Sequence, residues 1–283
     1  MSDPVDYLAI GHVTHDVQPD ASLVVGGTVS YAALTAASLR RRAGILTSAG
    51  EDFDFSSLGG VAVVNCGAAA TTTFRNLYIN GRRRQILYSL ADPLTPAAVP
   101  ELWRSAPIVH LGPVINECDP DLIDGFPPTV FIGVTPQGWM RSSDGNGQIQ
   151  RQPWGDGAAK LLARASAVIF SLDDVEGDWE TVRCYAASTR VLVVTMGPLG
   201  GVLFVDGKPL PFTAMQVTEV DPTGAGDVFA AVFFSLVASG VQPVAATPYA
   251  ACLASRSVTR HGPQGVPGDE DFAVCSSLLP TCD

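Results

Sequence analysis

At about 150 residues per domain, a chain of 283 residues holds one large domain or two modest ones. It is 47% hydrophobic and 16% charged, which excludes intrinsic disorder and leaves ample apolar material for a core. With 17 basic and 28 acidic residues the formal charge is −11, and Lys160 and Lys208 are its lysines. That balance excludes the basic footprint by which proteins grip nucleic acid.

The first six residues lack a basic region leading into an apolar run, so no signal peptide is expected. No stretch approaches the roughly 18 apolar residues of a membrane span, and a cytoplasmic location is the expectation. Cys66, Cys118, Cys184, Cys252, Cys275 and Cys282 are scattered without a CxxC pair. Free, mostly buried thiols in a reducing cytosol are expected from that spacing.

Residues 7–10 form an apolar run closed by Gly11, the pattern of a buried strand. A second short strand is expected at 22–25, and an Ala-rich helix at 29–39 follows Gly26 and Gly27. Two β-rich runs, 71–79 and 82–90, flank Asn80-Gly81, a pair suited to a two-residue hairpin turn. Alternation along the second run sends Arg83 to one face and Arg82 and Arg84 to the other, so one face is a candidate for ligand contact. Beyond it, apolar strand-like runs recur at 108–111, 130–132, 167–170 and 191–194, with helix-compatible segments at 157–165 and 179–187. Strands alternating with helices imply an α/β fold, a doubly wound and mostly parallel sheet covered on both faces. Residues 201–204 and the Asp206-Gly207 turn add an antiparallel hairpin. A further strand-like stretch at 215–217 precedes an apolar helix that runs to about Ser239. No linker interrupts the chain, so one domain over 1–283 is expected, with a small β lid from about 14–27 and 71–90.

The most informative segment opens that apolar helix: Asp221-Pro222-Thr223-Gly224-Ala225-Gly226-Asp227. Glycines at a helix start let successive N–H groups converge, and with the positive end of the helix dipole they suit a phosphate. Asp227 at the same turn can accept a proton from a hydroxyl while those amides take up charge on a transferred phosphoryl group. A Walker-type loop is excluded, since the chain has no G-x-x-x-x-G-K-[ST]. His12 and His15 are three apart on a segment that follows a strand and a glycine, a spacing that gathers metal ligands only on a helix. Gln137 and Arg141 follow the strand at 130–132, at the end of a sheet where open α/β folds bind ligands, and are candidate substrate contacts.

The 221–227 segment resembles the C-terminal signature of the ribokinase (PfkB) family of carbohydrate kinases. Gly26-Gly27, leading into the Ala-rich helix, resembles its N-terminal signature. Agreement continues in order through Gly11 to Asp16, Gly50-Glu51-Asp52, the hairpin runs, Val194 to Gly197 with Gly200-Gly201, and Val258 to Gly262. The resemblance implies a ribokinase-like fold and an ATP- and Mg2+-dependent kinase acting on a hydroxyl of a small sugar or polyol. Asp227 then matches the general base, and Gly224, Ala225 and Gly226 match the anion hole. Thr195, Gly197 and Gly200 match the loop along ATP, which Thr223 adjoins. Asp16 matches the acid that holds substrate hydroxyls, with Gly26 and Gly27 letting substrate approach the backbone and His15 beside it. The lid excludes water and so suppresses ATP hydrolysis. Many relatives bind a monovalent cation such as K+ near the positions of Asp221 and Thr223, and many dimerise through lid strands.

Departures from the family pattern are informative. Tyr31 stands where an Asn is usual, Asp173 and Glu176 occupy the Asn-x-x-Glu metal-linked motif, and Ala251 replaces an Asn near the adenine. Asp173 and Glu176 would act on magnesium through a bound water. His15-Asp16-Val17 with Tyr31 looks most like the myo-inositol kinase branch. Other acceptors in the same family, a nucleoside among them, are the alternative. A ribokinase-fold binding or regulatory protein without activity is the alternative of another class. Neither nucleic acid nor membrane is expected as a partner.

Overall fold

The structure is a computed structural model that describes residues 3–79 and 82–279, with the side chains of 78, 79, 82 and 83 outside the description. The chain begins with β1 (Tyr7–Ile10), β2 (Thr14–Val17), β3 (Leu23–Gly26) and α1 (Thr28–Ser38). Next come β4 (Ala43–Thr47), β5 (Ala62–Asn65), β6 (Thr72–Ile79) and β7 (Arg82–Ser89). The middle of the chain supplies β8 (Ile108–Leu111), β9 (Phe131–Val134), β10 (Arg141–Ser143) and β11 (Ile149–Arg151). It continues through α2 (Ala158–Arg164), β12 (Ala167–Ser171), α3 (Trp179–Ser188) and β13 (Val191–Thr195). The hairpin β14 (Gly201–Val205) and β15 (Lys208–Phe212) precedes α4 (Ala225–Ala238), α5 (Pro243–Ser257) and α6 (Asp269–Cys275).

Nine strands share one sheet in the order β15-β14-β13-β12-β9-β8-β1-β4-β5. It is parallel from β13 to β5 and antiparallel only at the β13-β14-β15 edge. Side chains alternate across a strand, and each parallel strand therefore feeds two cores. Tyr7, Ala9, Ile108, Ile169 and Val193 pack with α1, α4 and α5, while Leu8, Ile10, Val109, Val168 and Leu192 pack with α2 and α3. Burial on both faces explains why these strands are near-continuous apolar runs. The fold is α/β with a doubly wound, mostly parallel sheet.

A second sheet of four strands, β3-β2-β6-β7, forms the lid. Thr14 pairs with Thr72 in parallel and with Gly26 antiparallel, so both ends of the N-terminal third meet at β2. The hairpin strands pair antiparallel from Ile79 with Arg82, while the Asn80-Gly81 turn itself lies outside the described residues. Phe74 packs with Val114 and Ile115, backed by Leu87 and Ile149, and so fastens the lid to the loop after β8.

Two expectations are corrected. Residues 215–217 are not a strand: after β15 the chain leaves the sheet edge and runs irregularly to α4, with Met215, Gln216 and Val217 facing a cavity. Nor are all the thiols free, because Cys252 and Cys275 form a disulfide between α5 and α6. Packing of those helices brings together two cysteines that lie 23 residues apart in sequence. Cys66 and Cys184 are exposed thiols and Cys118 a buried one, whereas Cys282 lies outside the described residues. Among the described residues, no helix is long and apolar enough to cross a membrane.

Candidate functional site

A cavity of about 930 Å³ opens along the C-terminal ends of the parallel strands, under the lid. Ligands bind at this edge in open α/β sheets because loops, rather than packed side chains, close it. At its floor is the start of α4. Gly224 caps that helix with φ 81°, in the left-handed region, and a Cβ there would collide with the ring of Tyr31. Glycine is therefore required twice, for the backbone angle and for the approach of the aromatic ring.

The first turn-to-turn bond of α4 runs from Val228 N–H to Gly224 O at 2.8 Å. Ala225 N–H donates to Pro222 O at 3.3 Å, which draws that amide away from the anion-hole role expected of it. The amides of Gly226 and Asp227 thus open the helix ahead of its regular ladder, where unsatisfied donors and the helix dipole favour an anion. Asp227 is half-buried here. Burial pushes its carboxyl up to about 7, with the charge of Asp174 acting the same way and the Thr28 hydrogen bond and Arg141 charge opposing it. A carboxylate with that proton affinity is suited to accept a proton near neutral pH.

Asp221 steadies the approach to this turn. Its carboxylate accepts Thr223 N–H at 3.0 Å and Gly262 N–H at 2.9 Å. Burial alone would raise it, but these hydrogen bonds and His261 hold it below the usual carboxylate range.

Thr14 and Asp16 of β2 line the cavity, together with Gly27, Thr28 and Tyr31. Gly26 lies just behind them: a Cβ there would sit 2.5 Å from Asp16 Oδ2 and 2.7 Å from Thr14 Oγ1, so the bare backbone makes room for both side chains. Tyr31 is buried, and burial, aided by the charges of Asp16, Asp221 and Asp227, raises its hydroxyl pKa and keeps it protonated. His15 is not at the cavity. Strand alternation turns it to the opposite face of β2, where it stacks on Phe53 at 5.2 Å and stands 3.7 Å from Asp52 Oδ2. His12 is also fully buried, its ring nitrogens 2.7 Å from Thr72 Oγ1 and 2.9 Å from Asp92 O. Among the described residues no group of three His, Cys, Asp or Glu side chains is placed to hold a metal ion.

Gln137 and Arg141 reach the cavity from beyond β9, and Thr195, Gly197 and Gly200 reach it from the end of β13. Glu176 does not line it. That residue is exposed in a left-handed turn, 4.0 Å from Arg151, because the chain turns outward after β12. Asp173 does line the mouth, and the neighbouring Asp174, which the family motif does not mark, lines it more deeply. Asp174 is buried, accepting Ser171 N–H at 3.0 Å and the Gln137 amide at 3.3 Å. Arg84 and Gln85 of β7 and Gln148 and Arg151 of the 141–151 hairpin also line the cavity. Arg84 lies in the run whose alternation marks one face as a candidate for ligand contact, whereas neither spacing nor composition marks Gln85, Gln148 and Arg151.

Residues 171–269, which contain Asp174, the loop at Thr195 to Gly200 and the α4 turn, match the family model described as pfkB family carbohydrate kinase. Over 253 residues the chain is 25% identical to a cytidine kinase from Thermococcus kodakarensis, covering 82% of this chain and 88% of that one. It is 26% identical over 261 residues to an inositol 3-kinase from Oryza sativa subsp. japonica, covering 82% of this chain and 63% of the other. A solved structure described as a pyrophosphate-dependent kinase in the ribokinase family, complexed with a pyrophosphate analog and myo-inositol, aligns with TM-score 0.81 and 24% identity over 95% of this chain and 99% of that chain. The architecture is thus the ribokinase fold, and residues 171–269 carry the likeness to the pfkB family of carbohydrate kinases.

Proposed function

We propose that this kinase transfers the terminal phosphoryl group of ATP to a hydroxyl of a small sugar or polyol, with myo-inositol as the acceptor. The observation that carries the reading is Asp227, raised to a near-neutral proton affinity, in the same helical turn as amides open to an anion. In this reading Asp16 holds acceptor hydroxyls under the lid, and Asp227 takes the proton from the attacking one. The helix-opening amides of Gly226 and Asp227 meet the charge on the transferred group. Phe212, Met215, Val217, Ala251 and Val258 give the far wall an apolar surface suited to a base. Asp173 and Asp174 fit magnesium in the way usual for phosphoryl transfer, as one or two carboxylates beside water and donor phosphates. The ion would neutralise charge on those phosphates.

The acceptor preference is supported by the inositol 3-kinase relative and by the similar structure complexed with myo-inositol. Turnover of myo-inositol, ribose, fructose, cytidine and adenosine with ATP tests it, with myo-inositol expected to be the best acceptor. Cytidine turned over without myo-inositol overturns the acceptor in favour of the relationship to the cytidine kinase. No transfer to any of the five overturns the kinase reading.

A second reading changes only the donor. Arg84, Arg141 and Arg151 line the cavity, and Ala251 stands on the wall where a base would lie. The similar structure is described as pyrophosphate-dependent. Repeating the panel with pyrophosphate in place of ATP separates the two donors.

A further inference from the structure

The chain passes between the body of the fold and the lid four times: from β1 to β2, from β3 to α1, from β5 to β6 and from β7 to β8. His12, fully buried, reaches all four passages. It belongs to the first, between Ile10 and Thr14. At the second, a Cβ on Gly27 would lie 2.5 Å from His12 O, so the glycine backbone packs directly against it. The ring spans the other two. Nδ1 is 2.7 Å from Thr72 Oγ1 at the start of β6, and Nε2 is 2.9 Å from Asp92 O beyond the end of β7. A carbonyl oxygen only accepts, so Nε2 carries the proton shared with Asp92. In that tautomer Nδ1 accepts from the Thr72 hydroxyl, whose oxygen accepts Ala91 N–H at 3.0 Å.

Glu117 fastens the same point to the loop after β8. Its buried carboxylate accepts His12 N–H at 3.0 Å, Val114 N–H at 2.8 Å and Ile115 N–H at 2.7 Å. Val114 and Ile115 pack on Phe74 of β6, two residues beyond Thr72. The contacts thus close a circuit, from His12 through Thr72 and Phe74 to Val114 and Ile115, and back through Glu117. Buried polar groups joined in this way are stiff, because breaking one bond strands its partner away from water. Neither His12 nor Glu117 lines the cavity, whereas Thr14, Asp16, Gly27, Phe74 and Val114, which they hold, all do.

We propose that His12 and Glu117 are positioning residues for the acceptor: they lock the root of the lid, and so set where Asp16 stands over the cavity, without touching a ligand. The proposal rests on the reading in which Asp16 holds acceptor hydroxyls. The circuit includes none of residues 195–200 or 221–227, so loosening it acts on acceptor affinity and spares the donor.

Two measurements on the intact protein test this, using T72V, T72S, E117Q and, as control, S166A. T72V keeps the shape of the residue and loses the hydroxyl, T72S keeps the hydroxyl, and E117Q puts an amide nitrogen where a carboxylate oxygen accepts. S166A removes a comparable bond, from Ile132 N–H to Ser166 Oγ, away from the lid. In amide hydrogen exchange without ligand, residues 14–17 and 72–77 are expected to exchange at least about tenfold faster in T72V and E117Q, with β12 and β13 unchanged. T72S and S166A should match the wild type at the lid. In steady-state kinetics with ATP and whichever of the five acceptors the wild type turns over best, T72V and E117Q should raise the acceptor KM about tenfold. The KM for ATP should stay within about twofold throughout, as should the acceptor KM of T72S and S166A. Unchanged lid exchange in T72V and E117Q, each with wild-type circular dichroism, overturns the proposal. Equal rises in the two KM values overturn the role in placing the acceptor. Should E117Q fail to fold, the T72V and T72S pair decides alone. Failure of the kinase reading appears separately, as absent transfer by the wild type, and leaves hydrogen exchange to decide the root of the lid.

Discussion

Two walls of one cavity are built from the chain in opposite ways. On the floor, residues 221–227 place the capping glycine, the helix-opening amides and the acid within a single turn. On the roof, Thr14 and Asp16, Gln85, Arg141 and Arg151 arrive from β2, β7, β10 and β11. The floor's geometry is local, so a short motif specifies it, and on the proposed reading substitutions there act on chemistry. The roof's geometry depends on pairing between distant strands, so on that reading it is the part free to change with the ligand. Tyr31 joins the two: it projects from α1, packs on Gly224, and faces the same cavity as Asp16.

The largest effect that would sharpen this contrast is expected from D227N. Loss of the proton acceptor should lower kcat by about 10²- to 10⁴-fold while leaving binding of ATP within a factor of about two. Rapid-quench turnover and calorimetric titration check the two halves. A fully active D227N breaks the assignment of the floor to chemistry.

Ionisation of Asp227 gives the next effect. With its carboxyl near 7, the base is protonated and inactive at pH 5 to 6 and available above pH 7. kcat/KM should therefore rise about tenfold per pH unit below pH 7 and level off above it. Stability should move in the opposite sense. A carboxyl whose folded value lies above its unfolded value of about 4 binds more protons when folded, so its contribution is full below pH 4 and is lost as pH rises through 7. Initial-rate profiles and urea midpoints over pH 5 to 8.5 measure both. A flat kcat/KM across this range contradicts the assignment.

The same division governs what could be read from sequence. Strands β1, β8, β12 and β13 stand out because burial on both faces leaves them almost wholly apolar. The α4 turn stands out because its glycines and acid are contiguous. β4 and β5 do not, being short runs with Gly44 or Asn65 in place of a sustained apolar pattern. The β10–β11 hairpin is polar apart from Ile149, so little in its composition separates it from a loop. Residues 215–217 show the converse error: Met215 and Val217 look like strand residues, but their apolar side chains face the cavity rather than a neighbouring strand. The disulfide leaves no mark in the sequence because helix packing, not spacing, joins Cys252 to Cys275.

Asp16 and His15, adjacent on β2, provide the finest test of the roof. Sequence proximity suggests that both serve the acceptor, whereas the strand sends them to opposite faces, with Asp16 lining the cavity and His15 stacked on Phe53. D16N keeps the size of the side chain and removes the charge that, on the proposed reading, strengthens its bonds to acceptor hydroxyls, so the acceptor KM should rise about tenfold or more. H15A should change that KM by less than about twofold. Its cost should fall on stability, about 1 to 3 kcal/mol for vacating a buried aromatic contact. Steady-state kinetics beside thermal melts distinguish the two. Equal rises in KM for D16N and H15A would mean that the face of β2, rather than the side chain it presents, sets acceptor affinity.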